Sequence, residues 1–118
     1  MTTLKRGMLL DVNLDPTPGS ETGKIRPCII VTNDVYNQRV PVIQVVPITA
    51  WSAKKAKINT NVEIIPTRSN GLLKKSVADC LQTRPIDHHH RLVSIRGTLT
   101  HSKMNEIDQA LKIVFELS

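Results

Sequence analysis

The chain is expected to fold as a mainly β domain: a small twisted antiparallel β-barrel or roll, with short helices and one amphipathic C-terminal α-helix. Three observations carry that expectation. Short runs rich in β-branched residues recur, separated by turns containing Pro, Gly and Asn. Several of them alternate apolar and polar residues, the two-residue period of a half-buried strand. The period changes only near the end, where Met104, Ile107, Leu111 and Val114 fall at helical spacing, flanked by Ala110, Ile113 and Leu117. At 118 residues, without repeats or a shift of composition, residues 1–118 are expected to form a single domain.

The first strand is Met8–Leu14, with Leu10, Val12 and Leu14 on one side and Asp11 and Asn13 on the other. A loop from Asp15 to Lys24 follows, dense in Pro, Gly, Ser and Thr. It is longer than the usual hairpin connection, and long loops inside compact domains are often functional. Pro27–Thr32 is an apolar strand, and residues 33–41 are polar and turn-forming. Val42–Ile48, nearly all β-branched, reads as the central strand. Lys54, Lys55 and Lys57, interspersed with alanines, suit a short helical turn. Asn61–Ile65 alternates again, Asn70-Gly71 signals a type I′ turn, and Ser76–Thr83 reads as a further strand. Ile86–Leu92 is expected to be a polar connector and Val93–Arg96 a last short strand. Ser102 is the expected N-cap of the final helix.

Composition narrows the function. No run of about eighteen apolar residues exists to span a membrane, and the first residues lack the apolar region of a signal peptide, so a cytoplasmic location is expected. Cys28 and Cys80 each sit in an apolar run without metal-ligand spacing and are expected to be reduced core residues. The net charge is +6. It is concentrated, since residues 24–103 hold thirteen of the sixteen basic side chains but only four of the ten acidic ones. A basic centre of this kind is the footprint of a polyanionic partner, either nucleic acid or an acidic protein segment.

Two apparent motifs fail on inspection. Gly19-Ser-Glu-Thr-Gly23-Lys24 has three residues between its glycines where a phosphate-cradling P-loop has four, and Ile25 stands where that motif needs Ser or Thr. His88, His89 and His90 are consecutive, so they cannot converge on one ion from a regular element; no metal site and no cofactor are expected. The remaining constellation is Arg26 with Thr49. Pro27 biases Arg26 toward an extended backbone at a strand start, and Thr49 lies at the end of the central strand. If the two strands are antiparallel neighbours, start meets end, and a guanidinium beside a hydroxyl can hold a phosphate. Taken alone, each residue reads more readily as a solvated arginine or an ordinary strand-end threonine. Asp79 interrupts an apolar strand and is expected to be paired in the interior.

Several short segments run in the order of one family: Arg6-Gly7, Leu14-Asp15-Pro16-Thr17, Gly19-Ser20-Glu21, Arg26-Pro27, Asn33-Asp34, Pro47-Ile48-Thr49, Val62-Glu63-Ile64, Ser76-Val77, Gln82, Ile86-Asp87 and Arg91-Leu92. On these the chain resembles the MazF/PemK toxins of type II toxin–antitoxin systems, a family of endoribonucleases. The match covers nearly the whole chain, and its Asp-Pro-Thr, Gly-Ser-Glu and Arg-Pro series is the specific part. The chain departs from it at Lys54–Lys57, at the three histidines and at Trp51.

The resemblance implies an SH3-like barrel with the MazF/CcdB-like plasmid-maintenance-toxin fold. It implies Arg26 and Thr49 as the catalytic pair, and Ser20, Glu21, Thr22, Lys24 and Gln82 as RNA contacts. It implies ribosome-independent and metal-independent cleavage of single-stranded RNA, mostly mRNA, at selected sequences. The attacking group would be the substrate's own 2′-hydroxyl, leaving a 2′,3′-cyclic phosphate and a 5′-hydroxyl end. The implied partners are a second copy of the chain and an acidic, MazE-like antitoxin; the implied cellular effect is inhibition of growth. Lys54, Lys55 and Lys57 are expected to attract RNA without acting in the chemistry. Two other readings share the barrel: a CcdB-like toxin that poisons gyrase, and a non-catalytic nucleic-acid-binding domain.

Overall fold

The computed structural model describes residues 3–118. Seven strands form one antiparallel system: β1 (Met8–Asn13), β2 (Ile25–Ile30), β3 (Val42–Ala50), β4 (Asn61–Ile64), β5 (Ser76–Asp79), β6 (Arg84–Asp87) and β7 (Leu92–Thr98). Their order is β4-β5-β3-β2-β1-β7, with β6 also on β3. The nine-residue β3 makes this possible. Its first half pairs with β6, its middle with β2 and its end with β5. Three single-turn helices, α1 (Asp34–Asn37), α2 (Ala53–Ala56) and α3 (His88–Arg91), sit in connections, and α4 (His101–Phe115) closes the chain.

The β-branched runs are continuous because their strands are buried on both faces. Successive side chains point to opposite sides, and Leu9, Ile29 and Val46 enter one apolar cluster while Leu10, Ile30 and Val45 enter a second. The first cluster lies under α4 through Met104, Ile107 and Ala110. The second is closed by Leu4, Leu14 and Ile86. The chain itself therefore covers much of the apolar face of β3, although Val42 stays 46 % exposed. Cys28 and Cys80 are free and buried, as expected, and desolvation pushes both thiols up to about 12.

The docking of α4 shows which forces dominate. Arg6 pairs with Asp108 and also donates from Nε to the Val31 carbonyl at 2.9 Å. That ion pair is about one-third exposed on each side, and such pairs are worth at most about 1 kcal/mol. Burying one side chain of the size of Ile107 contributes about 1.5–3 kcal/mol, so the apolar stripe holds the helix and the pair orients it.

Four expectations are corrected. The strand from Ser76 stops at Asp79 and winds into a 3-10 turn over Cys80–Gln82. The Cys80 N–H bonds to the Thr60 carbonyl at 3.1 Å, which draws Cys80 inward and leaves Leu81 exposed. Residues 86–92 are no mere connector. Arg84–Asp87 completes the ladder on β3, and Asp87 then caps α3 by accepting the His89 N–H at 2.9 Å. The cap of α4 is Thr100, whose hydroxyl accepts the Lys103 N–H at 3.1 Å; Ser102 lies inside the helix. Asn70-Gly71 is not a type I′ turn, since only Gly71 has a positive φ, +70°. Asn70 is buried instead, and its Oδ1 accepts the N–H groups of Thr67 and Leu72 at 3.0 Å each.

Candidate active site

β2 and β3 pair antiparallel at Cys28–Pro47, Ile29–Val46 and Ile30–Val45. The same register carried two residues further sets Arg26 opposite Thr49, the start of one strand against the end of its neighbour. Both residues line one cleft of about 380 Å³. Ile25, Pro27, Ala50, Ser76 and Arg96 also line it, so apolar and cationic groups share its walls. Both candidates are half-buried, which leaves each able to meet a ligand from solvent.

The Asp15–Lys24 loop is held at its neck. The Leu14 N–H bonds to the Lys24 carbonyl at 2.9 Å. Asp15 Oδ1 accepts the Lys24 N–H at 2.8 Å and the Thr17 hydroxyl at 3.3 Å. Lys24 takes a left-handed backbone, φ +65°, at this closure. At Gly23 a Cβ would lie 2.2 Å from Thr17 Oγ1 and 2.5 Å from Asp15 Oδ1, so a side chain there would push these neck groups aside. Beneath the neck, Arg91 donates to the carbonyls of Asn13 and Asp15 at 2.9 and 2.8 Å, and Arg84 to that of Leu14 at 3.2 Å. Each of these two arginines commits its Nη1 to backbone carbonyl oxygen. Arg26 places Nε on the Gly23 carbonyl at 3.2 Å, so the guanidinium folds back under the loop.

Gln82 braces the loop from the other side. Its Oε1 accepts the Thr22 N–H at 3.3 Å, and its Nε2 donates to the Ser20 carbonyl at 3.4 Å. The sequence assigns Gln82 to RNA contact; in the structure its amide holds the loop. Ser20, Glu21 and Lys24 are exposed, and Thr22 is half-buried.

One member of the site was not separable in sequence. Lys55 Nζ donates to Thr49 Oγ1 and to the Ala50 carbonyl, each at 3.3 Å. It reaches them because Ser52 caps α2, its Oγ accepting the Lys55 N–H at 3.1 Å. Asn61 then donates to the Lys55 carbonyl at 3.0 Å, tying α2 to β4. Asp79, expected to be paired in the interior, is only partly buried. Desolvation raises its carboxyl above the ordinary value, opposed by the N–H groups of Gln82 and Leu81 and by the charge of Lys55. The three histidines form no ligand set: His88 and His89 stand ring to ring at 4.5 Å, and His90 reaches toward Asp87 at 4.0 Å. Among the described residues, no three His, Cys, Asp or Glu side chains group as metal ligands. No helix among them is long and apolar enough to cross a membrane.

Residues 5–115 match the family described as PemK-like, MazF-like toxin of type II toxin-antitoxin system. The chain is 38 % identical to endoribonuclease EndoA of Bacillus subtilis over 97 % of its own length and 96 % of that protein's. It is 39 % identical to endoribonuclease MazF of Staphylococcus epidermidis over 98 % and 93 % of the two lengths. The fold is also that of MazF from Deinococcus radiodurans. That protein solved in one crystal form superposes with a TM-score of 0.80 at 19 % identity, over 98 % and 99 % of the two chains. A MazE-MazF structure from the same organism gives 0.75 at 20 % identity over the whole of both chains. The chain belongs to the PemK-like, MazF-like toxins of type II toxin–antitoxin systems.

Proposed function

We propose that this protein is an endoribonuclease that cuts single-stranded RNA through the 2′-hydroxyl of its own substrate, with Arg26 and Thr49 at the scissile phosphate. The observation that carries the reading is the strand register that brings Arg26 and Thr49 to one cleft, with Arg26 Nε bonded to the Gly23 carbonyl of the Asp15–Lys24 loop. In-line attack of the 2′-oxygen on phosphorus makes a pentacoordinate species with added negative charge on its equatorial oxygens. The P–O5′ bond then breaks, leaving a 2′,3′-cyclic phosphate and a 5′-hydroxyl, with water taking the proton of the 2′-hydroxyl and supplying one to the 5′-oxygen. A fixed guanidinium with two parallel donors suits that developing charge better than it suits the ground state, which is the condition for catalysis. A guanidinium does not readily release a proton, so its contribution is electrostatic. Thr49 and the Lys55 ammonium beside it orient the phosphate.

Ser20, Glu21 and Thr22 lie on the loop that leads into Arg26, and in this reading they meet the base edges that single-stranded RNA offers. Gln82 sets that loop in place, and Lys24 adds charge at its neck. The reaction requires no cofactor, because the nucleophile belongs to the substrate. The natural partners in this reading are mRNA, a second copy of the chain and an acidic antitoxin of the MazE kind drawn by the basic centre. Light scattering should give about twice 13.2 kDa. The direct test is incubation with single-stranded RNA in excess chelator. Cyclic-phosphate and 5′-hydroxyl ends are expected, and loss of cleavage on chelation would contradict the reading.

A further inference from the structure

Trp51 is the only tryptophan in the chain and lies two residues beyond Thr49. The ladder between β3 and β5 runs from Ile48–Ala78 through Thr49–Val77 to Ala50–Ser76. It continues one step further, because the Trp51 N–H bonds to the Lys75 carbonyl at 3.3 Å. Trp51 thus keeps strand geometry, and the two-residue period puts it on the same face as Thr49, about 7 Å along the strand. Immediately after it Ser52 caps α2, so the backbone on both sides is fixed.

The indole is held but not enclosed. Lys75 Nζ stands 4.0 Å from the ring centroid, over the ring. The same ammonium is anchored by Glu63 Oε1 at 2.8 Å. The residue remains 36 % exposed. A buried tryptophan would serve packing, and a freely exposed one would gain nothing from an anchored cation. Here a cation stands over the ring while the residue stays partly exposed, next in the chain to Ala50 of the cleft wall. α2 carries Lys54 and Lys55 shortly after Trp51 in the chain.

We propose that Trp51 is a stacking platform for the nucleobase flanking the scissile phosphate, and that it sets a purine preference at that one position. This rests on the placement of the phosphate at Arg26 and Thr49. A nucleotide step from that phosphate brings the next base to the indole, whose open surface takes any base plane but holds the larger purine rings more strongly. The neighbouring lysines neutralise the backbone without reading sequence. Trp51 therefore confers selectivity on a site whose chemistry it does not touch.

A single tryptophan makes the test direct. Cleavage of a random RNA pool first locates the cut site. An oligonucleotide of that sequence, with one 2′-deoxyribose at the scissile position, then binds without being cut. Its binding should quench Trp51 fluorescence, and an abasic residue at one flanking position should remove the quench and weaken binding by roughly 5- to 100-fold. Trp51→Ala should still cleave but lose about tenfold of its selectivity at that position, while Trp51→Phe should retain most of it. Binding seen by anisotropy without any quench would overturn the proposal. So would unchanged selectivity in Trp51→Ala, or quenching by an acidic peptide but not by RNA. Failure of the underlying site reading is separately visible, as an Arg26→Ala protein that cleaves at the parent rate.

Discussion

Lys55 Nζ lies 3.3 Å from the hydroxyl oxygen of Thr49, which separates this lysine from its neighbours Lys54 and Lys57. A charged donor on the hydroxyl fixes its orientation and adds positive charge beside the phosphate site. Lys55→Met should lower single-turnover cleavage about 10- to 100-fold, the scale of one lost charged hydrogen bond. Lys54→Met and Lys57→Met should leave that rate within about twofold and reduce the salt slope of RNA binding by about one each. Equal effects of all three on affinity alone would return Lys55 to the solvated face.

Asp15 should act on binding and not on rate. Its carboxylate joins the Thr17 hydroxyl to the Lys24 N–H at the loop neck. Asp15→Ala frees a loop that RNA must then order, so affinity should fall about fivefold, equivalent to roughly 1 kcal/mol. The rate at saturating protein should stay at the parent value. Amide exchange at Lys24 should accelerate in the variant; unchanged exchange would mean that the loop is held elsewhere.

Asp34 links folding to pH. It accepts the Arg6 N–H at 2.6 Å and the Asn37 amide at 3.1 Å, and chiefly the Arg6 bond holds its carboxyl below the ordinary value. A carboxyl depressed in the folded state contributes its full stability above the unfolded value of about 3.9 and loses it as pH falls. Urea midpoints of the parent should therefore drop more steeply between about pH 5 and pH 2 than those of Asp34→Asn. Parallel curves would show that Asp34 has no such linkage.

The fold was legible in sequence wherever one rule governed a segment. Alternation marked β1 and β4, β-branched density marked β2 and β3, and the Met104–Ile107–Leu111–Val114 spacing marked α4. Two of the errors arose where a distant partner decided the outcome. Cys80 leaves its strand because Thr60 supplies a carbonyl, and Arg84–Asp87 becomes a strand because the early half of β3 stands open beside it. No local pattern contains either fact. Likewise Arg26 and Thr49 were visible as strand ends, while Lys55 could not be told from Lys54 and Lys57. Only a helical turn capped by Ser52 brings one of the three back onto Thr49. Gln82 is a candidate through family resemblance alone, and its contacts with Ser20 and Thr22 depend on the 3-10 turn that sequence missed.

Single-turnover cleavage at saturating protein, comparing the parent with Arg26→Ala and Arg26→Lys, tests the central claim most directly. Saturation removes any difference in RNA affinity, so the rate reports the chemistry alone. Arg26→Ala should be slower by about 10²-fold or more, the scale of one lost transition-state donor. Arg26→Lys should be nearly as slow, since an ammonium keeps the charge and loses the planar pair of donors. Cleavage by Arg26→Ala at the parent rate would contradict the account, reducing Arg26 to a phosphate tether and moving the chemistry to another group in the cleft.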